Sequence, residues 1–388
     1  MNIRSKLVTA FAAGLLAACG GGGGGGGGIG GTGTMHVSLT DAPSCGYDQV
    51  NVTIDRVRVN QSSSAADADG GWSEVVLSPA RRVDLLTLQN GVLEDLGQTQ
   101  LPAGKYTQLR LVLAPNDAAN PLANSVVPTG GTETALTTPS GQQSGLKMNV
   151  DIDVAADKIA DVVLDFDACK SVVKRGNSGQ YNLKPVITVV PVISDAGLRV
   201  IGYVDPALGA ATTQVSVQAA GVPVKTTAPD ATGKFVLYPV PVGTYDLVVT
   251  SSGHVTAVMT GVPVITTAFT TVNSATIPIS PAVATTRTVT GTLTPATATV
   301  RALQALTGGP TVEVAWGAVD AQTGAFSFAL PIGAPVKTAY VANPATLTFT
   351  ADTTAAGKYT LEAASAGAVK TQPIDVNAVV PPVNFTFP

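Results

Sequence analysis

Short segments of alternating apolar and polar residues, ended by glycine or proline, constrain the fold of this chain more than any other feature. Residues 36–40, 50–59 and 106–113 alternate with a period of two, as half-buried strands do. The 388 residues include 41 glycines and 26 prolines, which end strands and form turns. The pattern predicts an all-β protein built from three tandem antiparallel β-sandwich domains.

Changes in composition along the chain predict where these domains begin and end. We expect two short linkers, near 194–197 and 280–286, and therefore a semi-rigid row of domains. Within the first domain, residues 72–77 and 83–88 are predicted as separate strands, and residues 114–145 as a long polar loop. The predicted domains comprise residues 34–193, 198–279 and 287–388.

The N-terminus has the pattern of a targeting segment. Arg4 and Lys6 precede an uncharged apolar run that is too short to span a bilayer, which is typical of a signal peptide over residues 1–18. The run ends in L-A-A-C, which resembles a bacterial lipobox and implies lipidation of Cys19. Residues 19–33 are glycine-rich and predict a flexible tether. Gly20 directly after the cysteine implies, by resemblance to other lipoproteins, a lipid anchor in the outer membrane. The alternative is an ordinary secretory signal that ends near a cysteine.

Charge and histidine content argue against several function classes. Charged residues make up 12% of the chain and the net charge is −4, without a basic stripe that could neutralise phosphates, so no nucleic acid partner is expected. The two histidines, His36 and His254, lie outside known nucleophile motifs. We therefore expect no enzyme, with a hydrolase or a zinc site as remote alternatives.

Two of the three cysteines are predicted to pair with each other. If Cys19 carries lipid, Cys45 and Cys169 remain in an oxidising compartment, where an even number of cysteines favours a disulfide. The alternative is two buried free thiols.

Four segments of the first domain resemble one known family. They are L-T-D-A-P at 39–43, L-P-A-G-K-Y-T-Q-L-R-L-V-L at 101–113, V-L-D-F-D-A at 163–168 and L-K-P-V-I at 183–187. In this order they resemble the bacterial lipoprotein domain-of-unknown-function family 4382, over about residues 34–193. The resemblance implies a secreted β-sandwich-like domain without an established activity. Cys45 and Cys169 lie close to the first and last of these motifs, which fits a clasp between the ends of the domain.

The second domain carries a different set of motifs. D-A-T-G-K-F at 230–235 and V-P-V-G-T-Y-D-L-V-V at 240–249 resemble carboxypeptidase-regulatory, transthyretin-like sandwiches. That resemblance implies a spacer or a starch-binding-like domain, with Phe235 and Tyr245 in its core. Residues 320–328 and 357–361 repeat the same order and predict a third sandwich of this type.

Aspartates on one predicted strand are candidate metal ligands. Asp161, Asp165 and Asp167 alternate along the chain, and Asp41 would join them if the terminal strands of the domain pair. Oxygen ligands of this kind suit Ca²⁺. The alternative is a polar, solvent-facing strand with Leu164 and Phe166 packed inward.

Aromatic residues are candidate sugar-binding groups, and Trp72 is the first of them because it follows Gly70-Gly71, a predicted hairpin turn. The further candidates are Trp316, Tyr47, Tyr203, Tyr238 and Tyr340. We expect a non-enzymatic outer-membrane lipoprotein with a role in binding, adhesion or envelope structure. The alternatives are a carbohydrate-binding surface lipoprotein and, more remotely, a Ca²⁺-dependent binding module. Possible partners besides the membrane are a glycan or an envelope protein.

Overall fold

The structure is a computed structural model that describes residues 31–41, 46–138, 145–193 and 196–388. It is nearly all β, as the alternation predicts, and its sheets belong to three successive units. The predicted signal peptide, Cys19 and most of the glycine tether lie outside the described residues. Within the part of the chain that is described, no helix is long and apolar enough to cross a membrane.

The first unit contains a four-stranded sheet and an eight-stranded sheet. Asp167 caps the α-helix α1 (Ala168–Ser171) by accepting a hydrogen bond from the backbone N–H of Lys170. A 3-10 helix covers Leu85–Thr87. Its strands are β1 (Thr32–Asp41), β2 (Tyr47–Asn60), β3 (Ser73–Asp84), β4 (Glu94–Pro102), β5 (Gly104–Leu113), β6 (Ser125–Pro128), β7 (Thr134–Thr137), β8 (Leu146–Val154), β9 (Ile159–Phe166), β10 (Val172–Lys174), β11 (Tyr181–Leu183) and β12 (Ile187–Val192).

The second and third units follow directly. Short 3-10 helices lie at Pro206–Leu208, Ala210–Thr212 and Thr353–Ala355. The second unit has β13 (Val200–Tyr203), β14 (Thr213–Ala219), β15 (Val222–Thr227), β16 (Lys234–Leu237), β17 (Gly243–Ser251), β18 (Ala257–Val264) and β19 (Thr270–Thr271). After it come β20 (Thr286–Thr294), β21 (Thr299–Ala305), β22 (Thr311–Gly317), β23 (Ala325–Pro331), β24 (Val336–Ala339), β25 (Thr350–Ala351), β26 (Lys358–Ser365), β27 (Ala368–Asp375) and β28 (Val383–Thr386).

All three units share one strand topology. In the third unit, β20 pairs antiparallel with β23 and parallel with β28, while β21 pairs with β22 and β26, and β26 pairs with β27. In the second unit the same positions are taken by β13 to β19 in chain order. In the first unit they are taken by β1 to β5, β8 and β9. The first unit is therefore the same sandwich, extended by β6, β7 and β10 to β12.

A tyrosine marks the fifth strand of this topology in every unit. The hydroxyls of Tyr106 and Tyr245 each donate to the carbonyl of the proline four residues earlier, Pro102 or Pro241, at 2.9 Å. The Tyr359 hydroxyl donates to the carbonyl of Pro331 at 2.7 Å. P-x-G-x-Y in the first and second units is therefore one structural motif, which closes the corner before the strand.

Each unit has its own core, built from the inward positions of alternating strands. In β23, Phe326, Phe328 and Leu330 are buried and the residues between them are exposed. Phe235 and Tyr245 lie in the second core, as the resemblance of that domain implies, and Leu164 and Phe166 lie in the first core.

Two local predictions are wrong. Residues 73–84 form the single strand β3 rather than two strands, because both of its halves pair with the long strand β2 across a bulge between Ile54 and Arg56. The predicted loop at 114–145 contains β6 and β7, which extend the large sheet beside β2 and β11. Each of these strands has only four residues, too few for alternation to be recognised, so pairing with neighbouring strands decides their conformation.

The units are locked together rather than joined only by linkers. β24 leaves the third unit and pairs in parallel with β18 of the second unit, and β25 then pairs with β24. Val248 and Val258 of the second unit pack against Leu306 and Val312 of the third. This shared sheet and apolar contact fix the second and third units as one body.

Candidate functional site

A cleft of about 390 Å³ opens where the three units meet. Its floor is the outer face of the second unit's large sheet. Gln214, Ser216 and Gln218 point outward from β14 because Val215 and Val217 point into the core. Thr226 on β15 and Thr250 on β17 lie beside Ser216 and Gln214 in the sheet. The floor is therefore a flat array of hydroxyl and amide groups.

Several floor groups are available to a ligand. Within the described part of the chain, the side chains of Gln214, Thr226, Thr250 and Thr286 make no hydrogen bond. All four line the cleft and are exposed or half-buried. Ligand hydroxyls could pair with these groups without breaking an internal hydrogen bond.

One wall is the edge strand β22 of the third unit. Trp316, half-buried, lines the cleft from this strand. Gln218 fixes the strand in place, since its side-chain amide accepts from the Glu313 backbone N–H and donates to the Glu313 backbone carbonyl, each at 2.8 Å. Arg301 reaches back from β21 to donate to the Gly221 carbonyl at 2.8 Å. The wall is thus held rigidly against the floor.

The opposite wall is the helix α1 of the first unit. The ammonium of Lys170 lies 3.4 Å from Asp167, 3.7 Å from Glu313 and 5.0 Å from the centre of the Trp316 ring. Burial raises the pKa of both the Asp167 and the Glu313 carboxyls, and the Lys170 charge opposes that shift. Arg301, on the far side of Glu313, also opposes it. The charges around the cleft are therefore close to balanced.

Tyr47 brings a second aromatic ring to the cleft from β2. Its ring contacts Tyr181 edge-on, with 6.2 Å between the centroids. Burial, together with the neighbouring Tyr181, raises the pKa of Tyr47 to about 12, so its hydroxyl stays protonated and can donate a hydrogen bond.

The structure does not bring the four predicted calcium ligands together. Asp161 accepts from His36 at 2.8 Å, Asp165 pairs with Lys225 at 2.6 Å, and Asp167 caps α1. Asp41 is buried and accepts from the Ala168 backbone N–H at 2.9 Å. Burial raises the pKa of Asp41 well above its usual range, and the nearby carboxylates add to the shift.

The terminal strands β1 and β9 do pair, as the calcium hypothesis required. β9 nevertheless ends at Phe166, so Asp167 leaves the strand face that Asp161 and Asp165 share. Among the described residues, no group of three or more His, Cys, Asp or Glu side chains is arranged to hold a metal ion. Asp161, Asp165 and Asp167 each have a different partner, and one oxygen of the buried Asp41 has no hydrogen bond within the described residues. Binding of Ca²⁺ by these residues stays a prediction.

The Asp165–Lys225 pair instead joins the first and second units. Lys225 is 2% exposed although it carries a charge, so its ammonium depends on Asp165 for compensation. Asn90 adds to this contact by donating its backbone N–H to the Thr227 hydroxyl at 2.9 Å. The first and third units meet at Gly176, whose N–H donates to Asp320 at 2.7 Å.

Trp72 lies outside the cleft, on the first unit. Its indole N–H donates to the Ala66 carbonyl at 3.1 Å, and the guanidinium groups of Arg58 and Arg110 lie 4.5 and 4.7 Å from its ring centre. These contacts give the side chain a structural role in holding the β2–β3 connection. Ligand binding at Trp72 stays a prediction.

Cys169 lies on α1 and lines the cleft, while Cys45 falls outside the described residues. The hydrogen bond from Ala168 to Asp41 brings α1 next to the end of β1, shortly before Cys45 in the chain. Pairing of Cys45 with Cys169 stays a prediction.

Most of the cleft could not be recognised from the sequence. Trp316 and Tyr47 were among the candidate aromatics, but Lys170, Glu313 and the polar floor come from separate units. The sequence Q-V-S-V-Q at 214–218 of β14 did indicate the floor, because it alternates amides or a hydroxyl with valines. Large amides on an otherwise apolar strand indicate a polar face that another part of the protein covers.

No curated protein matches the chain. Two crystal structures of type II cohesin–X-dockerin complexes from Acetivibrio cellulolyticus, each an interface mutant, align at 21% and 23% identity with TM-scores of 0.20. Each alignment covers 23% of this chain and 59% of the other, so less than two thirds of those chains is spanned. A Streptococcal ancillary pilin aligns over 91% of this chain and 98% of its own, at 10% identity and a TM-score of 0.18. Residues 32–185, which lie in the first unit, match the family described as Domain of unknown function (DUF4382).

Proposed function

We propose that this protein is a non-enzymatic binding protein of the bacterial envelope, anchored by lipid at Cys19, whose ligand occupies the junction cleft. The observation that carries the proposal is that three separately cored units converge on one cleft with a polar floor and an aromatic wall. Binding pockets commonly occur where domains meet, and a volume of about 300–1,000 Å³ is usual for small ligands.

The contacts between the three units support a cleft that is already formed before a ligand binds. The Gln218–Glu313 hydrogen bonds join the floor to β22, and the Lys225–Asp165 pair joins the second unit to the first. A cleft formed in advance binds without the cost of ordering its walls. A structural role in the envelope is the second candidate, and the same locked interfaces favour it.

Thermal stabilisation by small molecules tests the binding proposal. We would measure the Tm of the full-length protein with a panel of sugars, amino acids, nucleosides and carboxylic acids. A cleft ligand should raise the Tm of the native protein but not of Thr250→Trp, which fills the floor. The matched control is Thr290→Trp, on an exposed position of β20 outside the cleft. A ligand that stabilises both variants equally would contradict cleft binding.

The lipid anchor needs its own test. Metabolic labelling with an alkyne-bearing fatty acid should mark the native protein and not Cys19→Ala, and only the native protein should sediment with outer membranes. Protease treatment of intact cells then separates a surface location from a periplasmic one. Label on Cys19→Ala, or membrane association without Cys19, would contradict the anchor.

The cysteine pair and the second and third sandwich families belong to the same proposal. Peptide mapping without reductant should yield a linked peptide that contains Cys45 and Cys169. The shared topology of all three units supports the transthyretin-like interpretation of the second and third.

A further inference from the structure

The side chains that line the junction cleft indicate which chemical class of ligand it can bind. We propose that the junction cleft binds a neutral saccharide, with one face of a sugar ring stacked on Trp316 and its hydroxyls bonded to the polar floor and to Lys170. The inference deepens the proposed function and rests on it. It assigns Trp316, Gln214, Thr250 and Lys170 as ligand-contacting residues.

The aromatic wall supplies the apolar contact. Trp316 is half-buried and lines the cleft, with the Lys170 ammonium 5.0 Å from its ring centre, while Tyr47 presents a second ring from the first unit. We place the sugar on the face of the indole that Lys170 leaves open. The C–H face of a sugar ring is apolar and weakly positive, so it packs against the negative face of an aromatic ring. An indole beside hydroxyl-rich protein surface matches a ligand that is apolar on its faces and polar around its edge.

The floor supplies the polar contacts at the edge of such a ring. The side chains of Gln214, Thr226 and Thr250 can each both donate and accept a hydrogen bond, which matches a sugar hydroxyl that also does both. They occupy neighbouring positions on three paired strands, so a planar ligand can reach all of them at once. In the described residues these three groups make no hydrogen bond that a ligand would have to displace.

The charged wall favours a ligand without net charge. Lys170 lies between Asp167 and Glu313, at 3.4 and 3.7 Å, and Arg301 lies 3.3 Å from Glu313 on the other side. An anionic ligand would approach two carboxylates, and a cationic ligand would approach Lys170. A pair of adjacent sugar hydroxyls can instead donate to a carboxylate and accept from the ammonium at the same time.

The test begins with the full-length protein on an array that carries neutral and acidic oligosaccharides, followed by calorimetric titration of the best neutral oligosaccharide. We expect Trp316→Ala to weaken binding at least about tenfold, because stacking is lost. Trp316→Phe should retain most of the affinity. Trp72→Phe is the matched control, since Trp72 lies outside the cleft, and its affinity should equal that of the native protein.

A second variant keeps the test decisive if Trp316→Ala loses binding only because it misfolds. Gln214→Ala changes an exposed side chain, should leave the Tm unchanged, and should weaken binding about fivefold. Native affinity in both Trp316→Ala and Gln214→Ala, or binding to acidic oligosaccharides alone, would overturn the inference. A blank array would also overturn it. If another molecule of the panel still stabilises the protein and Thr250→Trp abolishes that effect, only the saccharide class fails and the proposed binding function stands.

Discussion

The side-chain amide of Gln218 and the backbone of Glu313 form a closed pair of hydrogen bonds between the second and third units, each 2.8 Å long. Gln218 is 1% exposed, so both bonds are shielded from water. An amide side chain thereby takes the place of a neighbouring strand at the edge of β22, which pairs with β21 on its other side.

Removal of this amide should loosen the cleft. Gln218→Leu leaves the N–H and carbonyl of Glu313 buried without partners, which costs about 1–3 kcal/mol for each group left unsatisfied. We expect a lower Tm and faster amide hydrogen exchange in β22. Gln214→Leu, on the same strand face but exposed, is the control and should match the native protein. Unchanged exchange in β22 of Gln218→Leu would show that the pair does not hold the strand.

Removing one member of the buried pair Lys225–Asp165 should destabilise the protein more than replacing both members by apolar residues. Lys225→Met removes the partner of a buried carboxylate and should destabilise the protein by about 3–5 kcal/mol. The double variant Lys225→Met with Asp165→Leu replaces the pair by apolar groups and should recover most of that loss. Denaturant unfolding measures both, and a double variant no more stable than Lys225→Met would contradict the explanation.

His36 predicts a pH dependence with a definite sign. Burial lowers the pKa of His36, but hydrogen bonds with Asp161 and Asp95, and the charges of both, outweigh it and raise the pKa above the 6.5 of an unperturbed histidine. The imidazolium therefore stabilises the fold fully below pH 6.5, and this contribution is lost as the pH rises through the folded pKa.

NMR titration of the His36 ring should show the raised pKa directly. Melting curves between pH 5.5 and 9 should fall more steeply for the native protein than for His36→Gln, which cannot titrate. Parallel curves for the two proteins would show that the His36 cluster does not contribute to stability.

Two glycines in the same left-handed conformation should tolerate alanine differently. A methyl group on Gly324, at φ +70°, would lie 2.1 Å from the Leu293 carbonyl oxygen, whereas one on Gly308, at φ +60°, would meet nothing within 4 Å. Both substitutions cost about 1–2 kcal/mol for the backbone, and Gly324→Ala adds about 1–3 kcal/mol for the clash. Denaturant unfolding should rank them in that order, and equal losses would contradict the close approach at Gly324.

Local sequence predicted those parts of the fold that depend on local pattern. Alternation in β20 and β23 predicts which residues face the core, and glycines mark the turns between strands. In β5 a bulge after Tyr106 brings both Tyr106 and Leu109 into the core, which simple alternation does not predict. The equivalence of the three units was hidden, because the first unit inserts β6 and β7 between the fifth and sixth strands of the shared topology. The motif P-x-G-x-Y, which occurs at 102–106 and 241–245, was the sequence feature that could have revealed the equivalence of the first and second units.

Contacts between units could not be predicted from local sequence patterns. Lys225 and Asp165 are 60 residues apart, and Gln218 and Glu313 are 95 residues apart, so only the packed units bring them together. The same reason explains why the calcium hypothesis was plausible from the sequence: the spacing of Asp161, Asp165 and Asp167 says nothing about the partners His36 and Lys225 supplied from elsewhere.

Because β24 of the third unit extends a sheet of the second unit, recombination that separates the two units would break that sheet. β24 pairs with β18 and so extends the sheet of the second unit, although in the chain β24 comes between β23 and β26 of the third unit. A gene truncated at residue 286 would encode a second unit with β18 as a bare sheet edge, open to pairing with other chains. Replacement of the third unit by one without an equivalent of β24 would expose the same edge of β18. The second and third units are therefore expected to be inherited and lost together.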